Sequence, residues 1–265
     1  MKETRLTSDQ RKFYEENGYI LAKNVFSRAE AAELRAEAHA LIERLKPLRE
    51  IESTWDSARG QGTQIYHCHD VHFHSAIFTR MMLDPRLTGV MQDIIGPNVQ
   101  LHHSKMFIKP PEKGSPFPMH QDYPYFPHER HTMSAAIIHF DDAPIEKGCL
   151  RVVPGSHKLG PIAPDNPKDF SLSMTKYPIE SAHPCEAEAG DVLLFNYLTI
   201  HGSGINVSKE ARTTVLLQFR DPLDKPTVKA HESRGQGMML AGIDPACSNL
   251  PAWAKVESLK EKAAV

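Results

Sequence analysis

The second half of the chain limits the fold most, because short strand-like segments follow one another there without helical patterns between them. Proline, glycine and aspartate residues separate these segments, as they commonly separate strands in all-β proteins. Short strands at this spacing predict a sandwich, barrel or jelly roll. The candidate strands lie at 99–109, 131–140, 149–153, 184–188, 191–195 and 212–220.

The first part of the chain has helical patterns instead. Ser27 and Glu30 form a capping box at the start of a helix that reaches about residue 45. Further helices are predicted at about 7–17 and 85–95, with a short strand at about 19–22. The polar residues of about 49–64 predict a loop or lid.

We therefore predict one domain over residues 1–265, mainly β with outer helices. The helices occupy about 1–98 and the β core about 99–221. The remaining segment, about 222–265, is polar and contains Gly and Pro, so we expect it to wrap the surface.

Composition narrows the class of protein. The chain has 265 residues, 40% of them hydrophobic and 24% charged, which is ordinary for a globular protein. The formal net charge is -2 and lysine and arginine form no run, so neither nucleic acid nor an anionic membrane is an expected partner. No segment approaches the ~18 apolar residues of a membrane span, and the N-terminus does not resemble a signal peptide. The four cysteines form no CxxC pair, which favours a cytoplasmic location.

His120 and Asp122 are the first candidate metal ligands. Side chains two positions apart on an extended chain point to the same side, so an imidazole nitrogen and a carboxylate oxygen can reach one ion. His201, just past a buried-looking strand, can complete a two-histidine, one-carboxylate triad that leaves open positions on iron. Arg212 begins the last convincing strand and can offer a bidentate fork to a carboxylate.

Three stretches of the chain resemble the phytanoyl-CoA dioxygenase family. Residues 109–127 contain Lys-Pro-Pro, then His-Gln-Asp, then Tyr-Phe-Pro. Residues 148–158 read Gly-Cys-Leu-Arg-Val-Val-Pro-Gly-Ser-His-Lys, and residues 190–204 begin with Gly-Asp and end with His-Gly-Ser-Gly. The resemblance extends from about residue 17 to residue 221 with the motifs in order.

The resemblance implies a double-stranded β-helix core, a jelly roll, and non-haem Fe(II) chemistry that uses 2-oxoglutarate and O₂, with ascorbate as an aid to activity. It implies that His120, Asp122 and His201 bind iron. The same resemblance assigns 2-oxoglutarate to Arg212, to Lys105 and to Ser203, the last as a hydrogen-bond donor. Related iron halogenases have Gly or Ala in place of the aspartate, so the retained Asp122 favours hydroxylation or another oxidation. Some members carry a tryptophan beside the cosubstrate where this chain has Ile137 or Ile138.

Two histidine-rich patterns leave alternatives open. His139 and Asp141 form a second His-x-Asp pair, but the family's flanking residues surround only His120 and Asp122. The four histidines between 67 and 74 are either a second metal site or a polar segment at the pocket mouth, and we prefer the second interpretation. The candidate substrate contacts are Tyr66, His67, His69, His103, Gln218 and Arg220.

The sequence therefore predicts an Fe(II)- and 2-oxoglutarate-dependent oxygenase. It would hydroxylate or otherwise oxidise an unactivated C–H bond of a small molecule, for example in secondary metabolism, while 2-oxoglutarate is converted to succinate and CO₂. One alternative is a cupin-like metalloenzyme with non-redox chemistry. The other is a binding protein that keeps the fold without turnover.

Overall fold

The computed structural model describes residues 5–48, 64–229 and 232–245, and within these ranges it contains five α-helices and eleven β-strands. The helices are α1 (Ser8–Asn17), α2 (Arg28–Leu45), α3 (Val71–His74), α4 (Ala76–Met82) and α5 (Pro85–Ile95). The strands are β1 (Tyr19–Ala22), β2 (Tyr66–His69), β3 (Val99–Lys109), β4 (Phe117–His120), β5 (Ser134–His139), β6 (Leu150–Val152), β7 (His183–Cys185), β8 (Val192–Asn196), β9 (His201–Ser203), β10 (Arg212–Arg220) and β11 (Met239–Ala241). No helix of the described ranges is long and apolar enough to cross a membrane.

Capping residues fix the three longer helices where the sequence predicts them. Thr7 and Ser27 each accept a hydrogen bond from the third residue of their helix and form complete capping boxes. Asp84 caps α5, whose first residue is Pro85. Gly18 ends α1 in the left-handed conformation at φ 78°. Local hydrogen bonding, visible in the sequence, sets these boundaries.

The strands form two antiparallel sheets between which the chain crosses repeatedly. The larger sheet has the order β1-β8-β5-β10-β3-β11, with β2 also paired to β3, and the smaller has the order β4-β9-β6-β7. From β3 to β10 the chain alternates between the two sheets, except that β6 and β7 follow each other in the smaller one. This is the strand arrangement of a jelly roll. The predicted mainly β fold with outer helices is confirmed.

One face of the larger sheet packs against the helices. Leu41 of α2, Phe78 of α4 and Met91 of α5 share a buried cluster with Leu101 of β3 and Val215 of β10. Burial of such side chains contributes roughly 1.5–3 kcal/mol each. The opposite face of the sheet is left for the site between the two sheets.

A bulge in β3 changes which of its residues face that site. Gln218 of β10 pairs with His103, but the next residue, Phe219, pairs with Leu101, so His102 is an extra residue in β3. Side chains normally alternate along a strand. Here the extra residue allows the consecutive histidines His102 and His103 both to face away from the helices.

Several segments differ from the sequence-based expectation. The histidine-rich segment, to which no strand was assigned, contains β2 up to His69, and α3 begins directly after Asp70, whose backbone is left-handed at φ 53°. Strands β4 and β9 lie outside all predicted strands, and so does β11, which pairs with β3 in the segment expected only to wrap the surface. The predicted loop or lid at about 49–64 lies outside the described residues apart from Gln64.

Candidate active site

Two short strands bring the candidate metal ligands together. His120 ends β4 and pairs directly with His201, which begins β9. Asp122 lies past the end of β4, at φ -76° and ψ -21°, so it reaches the histidines from a turn and not from the predicted extended chain. Its Oδ1 lies 3.5 Å from Nε2 of His120 and 3.6 Å from Nε2 of His201. Within the described residues, this is the one group of three or more His, Cys, Asp or Glu side chains that could hold a metal ion, with ligand atoms within 4.8 Å of one another.

Backbone carbonyls orient both imidazoles. Nδ1 of His120 donates to the carbonyl of Pro118 at 2.7 Å, and Nδ1 of His201 donates to that of Thr199 at 2.9 Å. In a neutral imidazole the other nitrogen is then an acceptor, so each Nε2 directs a lone pair at the centre of the group. Burial, together with the neighbouring His120, lowers the pKa of His201 to about 4. The ring is therefore neutral, as metal ligation requires.

The carboxylate of Asp122 is also held in place. Burial alone would raise its pKa, but the nearby His201 and His120 outweigh burial and hold the pKa below its ordinary value. Gln218 donates from Nε2 to Oδ2 at 2.6 Å, which leaves Oδ1 directed at the two imidazoles. One oxygen thus has a structural partner and the other is available to an ion.

Gln121, between the two ligands of the motif, ties them to the segment that carries His201. Its Nε2 donates to the carbonyl of Leu198 at 2.6 Å, and its Oε1 accepts from the backbone of Ile162 at 2.8 Å. The side chain is 1% exposed. It fixes the segment before β9 against the end of β4.

The triad opens into a cavity of about 270 Å³ between the two sheets. Lys105, His103 and His69 line it, as do Arg212 and Ser203. Its apolar wall consists of Phe107, Phe117, Tyr125, Phe126, Ile137, Leu150, Phe195 and Leu216. A concave, mostly apolar pocket with a few converging polar groups is the usual form of a small-molecule site. Ile137, and not Ile138, faces this cavity, while Ile138 belongs to the core against the helices.

Arg212 is a buried cation in this cavity. It is 6% exposed, and its Nη1 donates to the carbonyl of Gly148 while its Nε has no hydrogen-bond partner among the described residues. Burial lowers the pKa of Arg212 to about 10, which leaves the guanidinium charged at neutral pH. A buried charge is costly unless it is paired, so this position suits an anionic ligand.

Ser203 lies beside Lys109, a lysine to which the sequence motifs give no role in the site. Lys109 is fully buried, and its Nζ donates to Oγ of Ser203 and to the carbonyl of Gly204, both at 2.7 Å. An ammonium group has no acceptor, so Oγ accepts and the hydroxyl hydrogen of Ser203 remains available to a ligand.

The surroundings of His139 and Asp141 distinguish this competing pair from the candidate metal ligands. Asp141 accepts hydrogen bonds from Arg35 at 2.6 Å and from the backbone of Thr213 at 2.8 Å. His139 does line the cavity, where burial and the charge of Arg212 lower its pKa to about 3. This pair is absent from the described groups that could hold an ion.

The remaining candidate residues divide between the cavity and other places. The β3–β10 pairing brings His103, Lys105 and Gln218 to the cavity, and His69 of β2 reaches it. Tyr66 and His67 are not part of the cavity lining, and the ring of His67 stacks on Phe107 at 6.4 Å. Arg220 lines a different cavity. Gln218 has no motif of its own, and only strand alternation from Arg212 pointed to it. Lys109 begins the Lys-Pro-Pro stretch of the family resemblance, but that stretch gave it no role in the site.

Known proteins are similar to this chain over most of its length. A family model described as phytanoyl-CoA dioxygenase (PhyH) matches residues 14–214. Peroxisomal phytanoyl-CoA dioxygenase of Bos taurus is 31% identical over 234 residues, which cover 82% of this chain and 69% of that protein. Ectoine dioxygenase of Bordetella parapertussis is 28% identical over 236 residues, which cover 81% of this chain and 75% of that protein.

Solved structures share the fold. The epimerase SnoN, solved in complex with Fe3+, alpha ketoglutarate and nogalamycin RO, has a TM-score of 0.69 at 22% identity, with 89% of this chain and 96% of that chain covered. The jelly-roll core expected from the sequence is thereby confirmed at the level of the fold. Because the family model covers most of the chain, the expected resemblance is also confirmed: the chain belongs to the phytanoyl-CoA dioxygenase (PhyH) family of Fe(II)- and 2-oxoglutarate-dependent dioxygenases.

Proposed function

We propose that this protein oxidises an unactivated C–H bond of a small molecule, most simply by hydroxylation, and couples this to the conversion of 2-oxoglutarate to succinate and CO₂. The observation that carries the proposal is the triad of His120, Asp122 and His201, whose ligand atoms lie within 4.8 Å of one another. Two imidazole nitrogens and one carboxylate oxygen form the donor set of non-haem Fe(II) oxygenases.

The residues present fit the proposed iron and cosubstrate. Both Nε2 atoms are acceptors directed at one point, and Oδ1 of Asp122 is directed there too. Arg212 supplies a buried cation for the distal carboxylate of 2-oxoglutarate, and Ser203 supplies a hydroxyl donor beside it. Lys105 lines the same cavity and is proposed as a further contact of the cosubstrate.

Iron bound in this triad would supply the activation of O₂ that a C–H oxidation needs. The chain's own side chains bind and orient the ligands, and they exclude water. Gln218 and the two backbone carbonyls hold the donor atoms in place before any ligand arrives. The aromatic wall around Phe107, Phe126 and Phe195 keeps bulk water from the reacting carbon.

A binding measurement tests the cofactor assignment. Anaerobic Fe(II) with 2-oxoglutarate should give wild-type protein a weak visible charge-transfer band. Asp122→Ala should lose this band, whereas Asp141→Asn, a change in the competing pair, should keep it. Absence of the band in wild type, or its survival in Asp122→Ala, would contradict the assignment of the triad.

Turnover tests the reaction itself. A panel of small molecules, each incubated with Fe(II), 2-oxoglutarate, O₂ and ascorbate, should contain compounds that stimulate succinate release and are themselves oxidised. The retained Asp122 favours oxygen transfer over halogen transfer. A cupin-like enzyme with non-redox chemistry would turn over without 2-oxoglutarate, and a binding protein would release no succinate with any compound.

We keep a reducing, cytoplasmic location as part of the proposal. Cys149 and Cys185 are free thiols, and both are buried. Disulfides form and persist mainly in oxidising compartments. The proposed partner is a small-molecule substrate, because the cavity is enclosed by two sheets and measures about 270 Å³.

A further inference from the structure

A second cavity adjoins the active site along the same sheet. It measures about 520 Å³, and the ring of Phe126 contributes to the walls of both cavities. Arg220, His102 and His128 line the second cavity, which we call the Arg220 cavity. The proposed oxygenase chemistry uses none of these three residues.

The pairing of β3 with β10 explains why the two cavities are neighbours. Gln218 and Arg220 lie two positions apart on β10 and therefore share a face. Opposite them, the bulge in β3 lets His103 face the active site while His102 faces the Arg220 cavity. The inner face of the sheet thus continues from the triad, past Phe126, into the second cavity.

The guanidinium of Arg220 donates hydrogen bonds from Nη1, whereas its Nε lacks a hydrogen-bond partner among the described residues. Its Nη1 donates to the carbonyls of Asp221, Pro222 and Asp224, at 3.1, 3.3 and 2.5 Å. Its Nε is buried and has no hydrogen-bond partner among the described residues. The Nε edge of a guanidinium is a fork that matches the two oxygens of a carboxylate or phosphate.

Asp224, Asp244 and Asp221 all act on the charge of Arg220, and Glu232 of the cavity lining lies 3.3 Å from Lys229, but Asp224 and Asp221 have other partners. Both oxygens of Asp224 accept hydrogen bonds, Oδ1 from the backbone of Arg130 and Oδ2 from the backbone and hydroxyl of Thr132. Asp221 lies 3.5 Å from the guanidinium of Arg130. Neither carboxylate forms an ion pair with Arg220 in the described ranges. A half-buried cation in this position suits an anion from outside the protein.

The histidines add a second kind of contact. Nδ1 of His128 donates to the carbonyl of Phe126 at 2.8 Å, which makes Nε2 an acceptor in the neutral ring. This Nε2 has no partner among the described residues, and the side chain is 2% exposed. It can accept a hydrogen bond from a ligand hydroxyl or N–H. His102 is oriented by Gln236, whose side-chain nitrogen lies 2.8 Å from Nδ1 of His102.

We propose that the Arg220 cavity binds an anionic group, a carboxylate or phosphate, of the small-molecule substrate, with Arg220 as its main donor. The assignment of this anion to the substrate rests on the proposed function, whereas the binding of an anion in the cavity does not. Two residues of strand span about 7 Å, and Gln218 contacts the metal ligand Asp122. The substrate would therefore carry its anion roughly 7–10 Å from the oxidised carbon, with a hydroxyl or amine near His128.

Direct binding of inorganic phosphate tests the site without any turnover. The ³¹P NMR line of phosphate should broaden with metal-free wild-type protein at constant ionic strength. Arg220→Gln should reduce this broadening at least threefold. Val228→Trp should reduce it similarly, because Val228 lines the cavity at an exposed position and the larger ring narrows it without removing a charge.

A control variant separates this cavity from a neighbouring cation. Arg130→Gln removes an arginine close to the same turn that does not line the cavity, and it should keep the broadening. An unbroadened wild-type line, or broadening in Arg220→Gln and Val228→Trp equal to that of wild type, would overturn the anion site whatever the outcome of the oxygenase assays.

Competition identifies the source of the anion. With a substrate found by succinate release, phosphate should raise its KM without raising the KM for 2-oxoglutarate, and Arg220→Gln should raise the substrate KM at least tenfold with a smaller change in kcat. If phosphate binds at the cavity but does not compete with substrate, the cavity holds a separate anion and the assignment to the substrate is overturned.

Discussion

Gln218 contacts Asp122, a proposed metal ligand, and the sequence predicts it as a substrate contact as well. Its amide donates to Oδ2 of Asp122 at 2.6 Å. Gln218→Leu should weaken binding of Fe(II), or of Co(II) as a substitute, by about 10- to 100-fold, because the carboxylate loses the partner that orients it. Leu216→Val, on the same face of the same strand, should leave metal binding unchanged. Metal titration of both variants tests this prediction. An unchanged metal affinity in Gln218→Leu would contradict the role in metal binding and leave substrate contact as the predicted role of Gln218.

Lys109 prepares Ser203 as a hydrogen-bond donor. Because Nζ of Lys109 donates to Oγ of Ser203 at 2.7 Å, the hydroxyl hydrogen is free to point at an anionic ligand. Lys109→Met and Ser203→Ala should each raise the KM for 2-oxoglutarate by about tenfold, the cost of one hydrogen bond to a charged group. The double variant should be no worse than either single variant, since both remove the same contact. Multiplying effects, measured by succinate release, would show that the two residues act independently.

His139 should make the folded state sensitive to acid. Burial and the charge of Arg212 lower its pKa to about 3, against an ordinary value of 6.5. Between these values the unfolded chain binds a proton that the folded chain does not, so stability is full above about pH 6.5 and falls as the pH decreases. From pH 6.5 to pH 5 this amounts to about 2 kcal/mol.

His139→Gln lacks this titration. In urea unfolding of metal-free protein between pH 7.5 and pH 5, its free energy of unfolding should therefore fall by about 2 kcal/mol less than that of wild type. Each protein serves as its own reference at pH 7.5, so a change in overall stability does not affect the comparison. Parallel pH profiles for the two proteins would contradict the buried, neutral state of His139.

The residues of the site were predictable to the extent that they belong to motifs. His120, Asp122 and His201 follow from the His-x-Asp pair and the family spacing, and the structure brings their donor atoms together. Gln218 and Lys109 could not be given these roles from sequence, because each depends on a partner about 95 residues away that only the sheet pairing supplies. Arg220 was singled out by alternation, but the position of Phe126 between two cavities has no signature in the sequence.

At the scale of elements, local signals predicted the helices and long strands well. The capping residues Thr7, Ser27 and Asp84 begin the helices expected there, and β3 and β10 have the predicted bounds. Strands β4 and β9 escaped prediction because they span only four and three residues, and proline and glycine interrupt their patterns. Their pairing across the smaller sheet, and not their own propensity, makes them strands.

The bulge in β3 should be dispensable for the register of the sheet. Gln218 already pairs with His103 and Phe219 with Leu101, so deletion of His102 would restore regular alternation and leave Val99 and Leu101 buried against the helices. The deletion should therefore avoid the roughly 3–6 kcal/mol of unfolding free energy that exposure of these two core side chains would cost. It should cost little more than His102→Ala, which keeps the chain length. Urea unfolding of both variants tests this, and a deletion several kcal/mol worse than His102→Ala would show that the bulge is needed for the register.

At the scale of the whole molecule, the proposed ligands join the two sheets. The proposed iron ligands His120 and His201 belong to the smaller sheet, while Arg212 belongs to the larger one, so a bound metal with 2-oxoglutarate would connect both. Ligands that bind only the folded state stabilise it by about 2.7 kcal/mol at 100 times their Kd. For a chain of this size we expect an increase in Tm on the order of 5 °C or more.

Anaerobic thermal unfolding with Mn(II) in place of Fe(II) can separate the two contributions. Wild type should gain Tm with metal, and gain further with 2-oxoglutarate, and a chelator should reverse both gains. Asp122→Ala should lose the metal increment, because one of three donor atoms is gone. Arg212→Lys should keep the metal increment and lose most of the increment from 2-oxoglutarate, since an ammonium cannot form the bidentate fork. If 2-oxoglutarate raised the Tm of Arg212→Lys as much as that of wild type, the cosubstrate would not be bound through this strand of the larger sheet.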